Sequence, residues 1–113
     1  MQLRQVKHLL DYIIDGADLE SPGILHDQVA RLVTAHGPIT MLSLKTTSAR
    51  RSAYPDGPLP LEATVTQHGE AIGELLLWVD GGFLNTLEFA WWSDDVPTEL
   101  PTTEAVVVSP RVA

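Results

Sequence analysis

Leu3, Val6, Leu9, Leu10, Ile13, Ile14 and Ala17 recur at steps of three and four residues, with polar positions between them. That spacing draws one apolar stripe along a helix and predicts α-structure over 2–17, with Gly16 weakening its end. Ser21 and Pro22 then read as the cap and first turn of a second helix. Ile24, Leu25, Val29, Leu32 and Val33 supply its apolar face, and Gly37 and Pro38 stop it, so it is predicted over 22–36. Beyond that point the period changes to two. Strands are predicted at 39–45, 61–67, 72–79, 83–92 and 105–109; "LEATVTQ" alternates strictly, with Leu61, Ala63 and Val65 on one face. The proline-bearing stretches 46–60 and 93–104 read as loops. The pattern is that of an α+β fold, with two N-terminal helices packed on one face of a four- to five-stranded antiparallel sheet. One domain accounts for residues 1–113.

The hairpin in "GELLLWVDGGFLNTLEFAWWSDD" decides where the aromatic side chains go. A two-residue turn puts Trp78 and Phe83 on one face and leaves both faces mixed. A three-residue turn, Asp80-Gly81-Gly82, reverses the parity of the second strand and separates apolar from polar. Leu75, Leu77 and Val79 then align with Phe83, Leu87, Phe89 and Trp91 as core. The other face collects Glu74, Leu76, Trp78, Leu84, Thr86, Glu88, Ala90 and Trp92. A three-residue turn His68-Gly69-Glu70 gives the preceding hairpin the same register. The outer face is then an apolar patch of Leu76, Trp78, Leu84 and Trp92 with an acidic rim, the composition of a partner-binding surface unless the long loops fold over it.

Charge sharpens this reading. The net charge is −8, and it is unevenly distributed. Residues 1–51 carry Arg4, Lys7, Arg31, Lys45, Arg50 and Arg51 against five acids. Residues 52–110 hold no Lys or Arg, and ten acids: Asp56, Glu62, Glu70, Glu74, Asp80, Glu88, Asp94, Asp95, Glu99 and Glu104. Such a surface repels nucleic acid and anionic lipid and attracts a basic protein. The absence of cysteine excludes disulfides, thiolate metal sites and cysteine nucleophiles. Charges interrupt the N-terminal segment, which does not read as a signal peptide, and no apolar run is long enough to span a membrane. A cytoplasmic location is the expectation.

Catalytic chemistry has little to attach to. His8, His26, His36 and His68 show no metal-ligand spacing, and no nucleophile elbow, phosphate loop or dinucleotide fingerprint is present. No metal or cofactor is expected. Glu88, Asp94 and Asp95 lie near Trp78 and Trp92, and carboxylates beside aromatics are the alternative: a small-ligand site or a hydrolytic one.

"GELLLWVDGGFLNTLEFAWWSDDVPTELP", residues 73–101, resembles a pattern in small uncharacterised actinobacterial proteins. Its elements here are Gly73, Glu74, Trp78, Val79, Gly82, Leu84, Leu87, Glu88, Trp91 and Trp92, with Pro97 and Pro101 in the tail. Some similar sequences are candidate immunity proteins of toxin systems, so the resemblance implies a binding role and carries no catalytic residues. The expected function is a small acidic interaction module without enzymatic activity, either an immunity-like inhibitor of a basic partner or a homodimer. Its expected surface is Leu76, Trp78, Leu84 and Trp92 with Glu74, Glu88, Asp94 and Asp95.

Overall fold

A computed structural model describes residues 2–111. The first helix, α1 (Leu3–Gly16), follows the apolar stripe: Val6, Leu9, Leu10, Ile13 and Ile14 are all buried. Its first turn is closed by Gln5, whose Oε1 accepts the Gln2 backbone N–H at 3.2 Å. The second helix, α2 (Pro22–Ala30), begins at Pro22 as expected. Ser21, however, adopts φ 50° and makes no side-chain capping bond.

The second helix is shorter than its apolar pattern predicts. It ends at Ala30, and Leu32–His36 form a strand, β1, antiparallel to β2 (Met41–Thr46). Gly37, at φ +104°, lies in the β1–β2 connection instead of capping a helix. The run Leu32-Val33-Thr34 suits a strand edge as well as a helix face, because two of its side chains are β-branched. Leu32 points inward in either geometry. Val33 discriminates: it is skipped in the register between Leu32↔Thr46 and Thr34↔Lys45 and stands 47% exposed, not buried.

The chain continues through β3 (Gly57–Pro58), β4 (Leu61–Gln67), β5 (Glu70–Asp80), β6 (Phe83–Trp91), a short 3-10 turn (Thr103–Ala105) and β7 (Val106–Pro110). The sheet order is β1-β2-β6-β5-β4-β7, with β3 beside the far end of β5. All pairings are antiparallel, and the sheet has seven strands, not four or five. The two extra strands are β1, hidden in the apolar pattern of the second helix, and β3, within the stretch expected to be loop. Leu59 N–H donates to Leu77 C=O at 2.9 Å, so β3 and β4 run along the same side of β5 as one interrupted strand.

Both hairpins reach the anticipated inner register by another route. Asp80 pairs with Phe83, leaving a two-residue turn, Gly81-Gly82, with φ of 60° and 85°. Positive φ at both central residues matches the twist of the strands, which is why this site is Gly-Gly. Between Trp78↔Thr86 and Val79↔Leu84 the register shifts by one, because Asn85 bulges out of β6. The bulge corrects the parity that the short turn would otherwise spoil. The β4–β5 hairpin repeats the device, with a His68-Gly69 turn at φ 53° and 80° and Ile72 as the extra residue.

The consequence is an exchange of roles on either side of the bulge. Leu84, expected on the outer face, is 2% exposed and belongs to the core; Phe83, expected in the core, is only partly buried and lies under the Arg51 guanidinium, 5.7 Å from its ring centre. Farther along β6, Leu87 and Phe89 are buried as expected, opposite Leu77 and Leu75. Trp91 keeps the inward parity but is 38% exposed, since it pairs with Gly73 near the end of the sheet.

The buried side chains of both helices and of β1, β2, β4, β5, β6 and β7 form a single cluster. One polar side chain is buried with them. Gln28 of α2 donates through Nε2 to Arg50 C=O at 2.8 Å and to Gly82 C=O at 2.9 Å, and its Oε1 accepts Leu84 N–H at 2.8 Å. Gln28→Leu keeps the volume but removes the partner of Arg50 C=O and of Leu84 N–H, while Gly82 C=O keeps the Ser52 donors. It should lower unfolding stability by about 2–3 kcal/mol in urea titration; unchanged stability would show that the hairpin is held without it. In the same assay Phe89→Ala should cost about 3–5 kcal/mol, and Trp91→Ala well under half of that because its ring is already partly in water.

Candidate functional site

Along β5, Gly73, Leu75, Leu77 and Val79 are buried while Ile72, Glu74, Leu76 and Trp78 are partly exposed. The register carries that alternation across the sheet. One outer row runs Met41, Glu88, Leu76; the next runs Ser43, Thr86, Trp78, Pro58; a third runs Ala90, Glu74, Thr64, Val107. Cross-strand neighbours stand about 5 Å apart, so these side chains form one continuous surface.

Trp78 is its centre. Its indole Nε1–H donates to Glu88 Oε1 at 3.0 Å, across the diagonal of the β5–β6 ladder. The bond fixes the plane of the indole and neutralises the polar edge of the ring. Around this pair lies a shallow hollow of about 520 Å³, bordered by Met41, Asp56, Gly57, Asp80, Asn85 and Thr86. The hollow sits where Asn85 bulges and β3 replaces β4 alongside β5, the point at which the sheet surface changes shape. Asp56 is oriented by accepting Gly81 N–H at 2.8 Å, while Asp80 is exposed at the strand end.

The expected surface residues divide into three groups. Leu76, Trp78, Glu74 and Glu88 share the outer face. Leu84 does not belong to it, for the reason given by the bulge. Trp92, 60% exposed, lies just past β6, where its N–H still donates to Ile72 C=O at 2.7 Å. Trp92 is six residues from Thr86, the partner of Trp78, which at strand spacing puts the backbones of the two tryptophans about 20 Å apart. Asp94 and Asp95 follow Trp92, are exposed, and sit at that far end. Glu88 with Trp78 and the aspartates with Trp92 are thus two separate places, not one carboxylate pair. Glu74 lies 3.9 Å from Arg111, which also approaches Glu62 at 3.7 Å. These exposed pairs contribute little to stability.

Of the two long connections, the first reaches the Trp78 hollow through Asp56 and Gly57. Residues 46–60 pass by the Gly81-Gly82 turn: Ser52 N–H and Oγ–H both donate to Gly82 C=O at 2.9 Å, and the Tyr54 hydroxyl donates to Glu20 C=O at 2.8 Å. Residues 98–104 border a second hollow of about 590 Å³ with Gln5, His8 and Leu9 of α1 and with Ile39. Leu100 packs against the buried cluster.

Sequence reasoning passed over Met41, Asp56 and Asp80, because their place beside Trp78 depends on strand order and on β3. It also named His26 only for its lack of metal-ligand spacing, whereas the structure gives it two partners. His26 Nδ1 is 2.6 Å from Asp11 Oδ1 and its Nε2 is 2.7 Å from Asp15 Oδ1, so α2 is clasped to α1 through both ring nitrogens. The available cue was the i,i+4 spacing of Asp11 and Asp15. Both contacts can be hydrogen bonds only if both nitrogens carry protons. Burial pushes the imidazole pKa down, but the hydrogen bonds it donates to Asp11 and Asp15 and their charges outweigh this and raise it above the usual histidine value.

No protein-family model matches the chain, and no curated protein or solved structure is significantly similar to it. Among the described residues, no helix is long and apolar enough to cross a membrane.

The raised pKa of His26 has a definite sign in stability. The clasp is fully present below pH 6.5, where the unfolded chain is also protonated, and is lost as pH rises through the folded-state value. Stability measured by chemical denaturation should therefore fall on that alkaline side in the wild type, and His26→Asn should flatten the fall. An identical pH profile for the variant would remove the clasp from the account.

Proposed function

We propose that the protein is a non-enzymatic interaction module whose outer sheet face, centred on Trp78, docks a basic protein. In this reading the two helices cover one face of the sheet and the other is kept open for the partner. The observation that carries it is the combination on that face: a partly exposed, orientation-fixed indole with Leu76 and Met41 beside it, surrounded by Glu88, Glu74, Asp56 and Asp80. Aromatic anchors of this kind supply interface affinity, and acids around them speed encounter with a cationic partner and reject others. The ten acids and absent bases of residues 52–110 extend the same field well beyond the contact. Self-association through this face would bring those acids together across a two-fold axis, which disfavours the homodimer. The likeness of residues 73–101 to candidate immunity proteins supports the inhibitor form of the reading.

A ligand-binding or hydrolytic role draws less support, because the carboxylates it invokes are spread over about 20 Å of strand. The test is capture of a partner from the source cell by wild type and by Trp78→Ala, followed by kinetics with the purified pair. Trp78→Ala should weaken the complex at least about tenfold. Raising salt from about 0.05 to 0.5 M should slow wild-type association, because long-range attraction is screened. A partner bound equally well without Trp78, or a dimer that strengthens with salt, would replace this reading.

A further inference from the structure

The hollow around Trp78 has a chemistry more specific than a general acidic patch. Its lining includes an indole held by the 3.0 Å bond from Nε1 to Glu88 Oε1. Glu88 has spent one acceptor position on that bond, and a carboxylate offers about four. Among the described residues its second oxygen takes no donor, which leaves it for another beside the ring. Asp56 and Asp80 stand on the opposite border, and neither lysine nor arginine borders the hollow. Lys45 lies one row farther along β2 and borders the neighbouring depression with Asp80 and Asn85.

A comparison within the molecule shows what such a ring takes. Phe83, brought outward by the same bulge, already has the Arg51 guanidinium 5.7 Å from its centre. Among the described residues no cation sits over Trp78, although indole is the better platform for one. A guanidinium fits the vacant position better than an ammonium does. It is planar, so it lies flat on a fixed ring, and its forked N–H donors reach a carboxylate in the same plane.

We infer that this hollow receives an arginine side chain of the partner, its guanidinium stacked on Trp78 and donating to Glu88, with Asp56 and Asp80 completing the negative wall. This rests on the docking face proposed above and names the group that enters it.

The experiment separates the two claims. Titration of 15N-labelled protein with Nα-acetyl-arginine amide should shift the Trp78 indole resonance, assigned by its loss in Trp78→Phe. The neutral isostere Nα-acetyl-citrulline amide should not shift it, and Nα-acetyl-lysine amide should bind more weakly. Glu88→Gln, checked for an unchanged fold by its amide spectrum, should weaken the arginine probe about tenfold, the loss of one charge-assisted hydrogen bond. Citrulline acting as well as arginine, Trp92 responding as strongly as Trp78, or no response up to about 50 mM, where even a millimolar Kd saturates, would each overturn the inference. If Trp78→Ala abolishes protein capture while Glu88→Gln leaves it intact, the docking face stands and the arginine anchor falls. If neither variant affects capture, the docking face itself falls.

Discussion

Gln28 makes the fold's arrangement specific. It is fully buried, and all three of its hydrogen bonds go to backbone: one to Arg50, one to Gly82 and one from Leu84. Apolar contacts between α2 and the sheet could be satisfied by several small shifts along the helix. A buried amide cannot move without stranding donors and acceptors, each of which then carries its full desolvation cost. Gly82 C=O also receives Ser52 N–H and Oγ–H, so helix, loop and hairpin meet at one carbonyl. The residues held there flank the bulge at Asn85, and the bulge determines which side chains of β6 look outward. The placement of Trp78 against Thr86 and Glu88 is therefore downstream of a buried glutamine of α2.

Much of this was legible in the chain. The stripe of α1 and the alternation of β4, β5 and β6 identified the elements, and an inner face of Leu75, Leu77, Leu87 and Phe89 followed from parity. What failed did so for local reasons. Leu32-Val33 fits a helix face at i+3 and a strand edge equally, and only the pairing with Lys45 and Thr46 decides between them. Parity arguments assume an unbroken strand. One bulge per hairpin gives the same inner register as a longer turn, yet it exchanges Phe83 and Leu84. The outer acids and Trp78 were identifiable from composition. Their grouping with Met41 and Asp56 depended on neighbours distant in sequence, and Leu84 and Trp92 left the group when the register was known.

The two faces of the sheet answer to different demands. Inward, aliphatic side chains dominate, and the one polar group is fully bonded. Outward, threonine, glutamate and a single indole leave a surface that is neither greasy enough to aggregate nor polar enough to be inert. The bulge at Val33 lies in β1, at the edge of the sheet, where an irregular strand is a common protection against unwanted strand addition.

The Tyr12 hydroxyl donates to Val106 C=O at 2.8 Å, across 94 residues of chain. Four residues on, Gly16 lies so close to β7 that an added Cβ would fall 2.8 Å from Val108 Cβ. The first helix thus takes part of its seat from β7, and β7 in turn needs β4 to lie on. Until β7 is available, α1 stays amphipathic and only partly covered. Closing so long a loop is entropically slow, and no nucleus confined to the N-terminal half can complete the fold. The same closure gives the finished molecule its unity: a fluctuation that frees β7 also uncovers α1, so the two ends of the described chain unfold as partners.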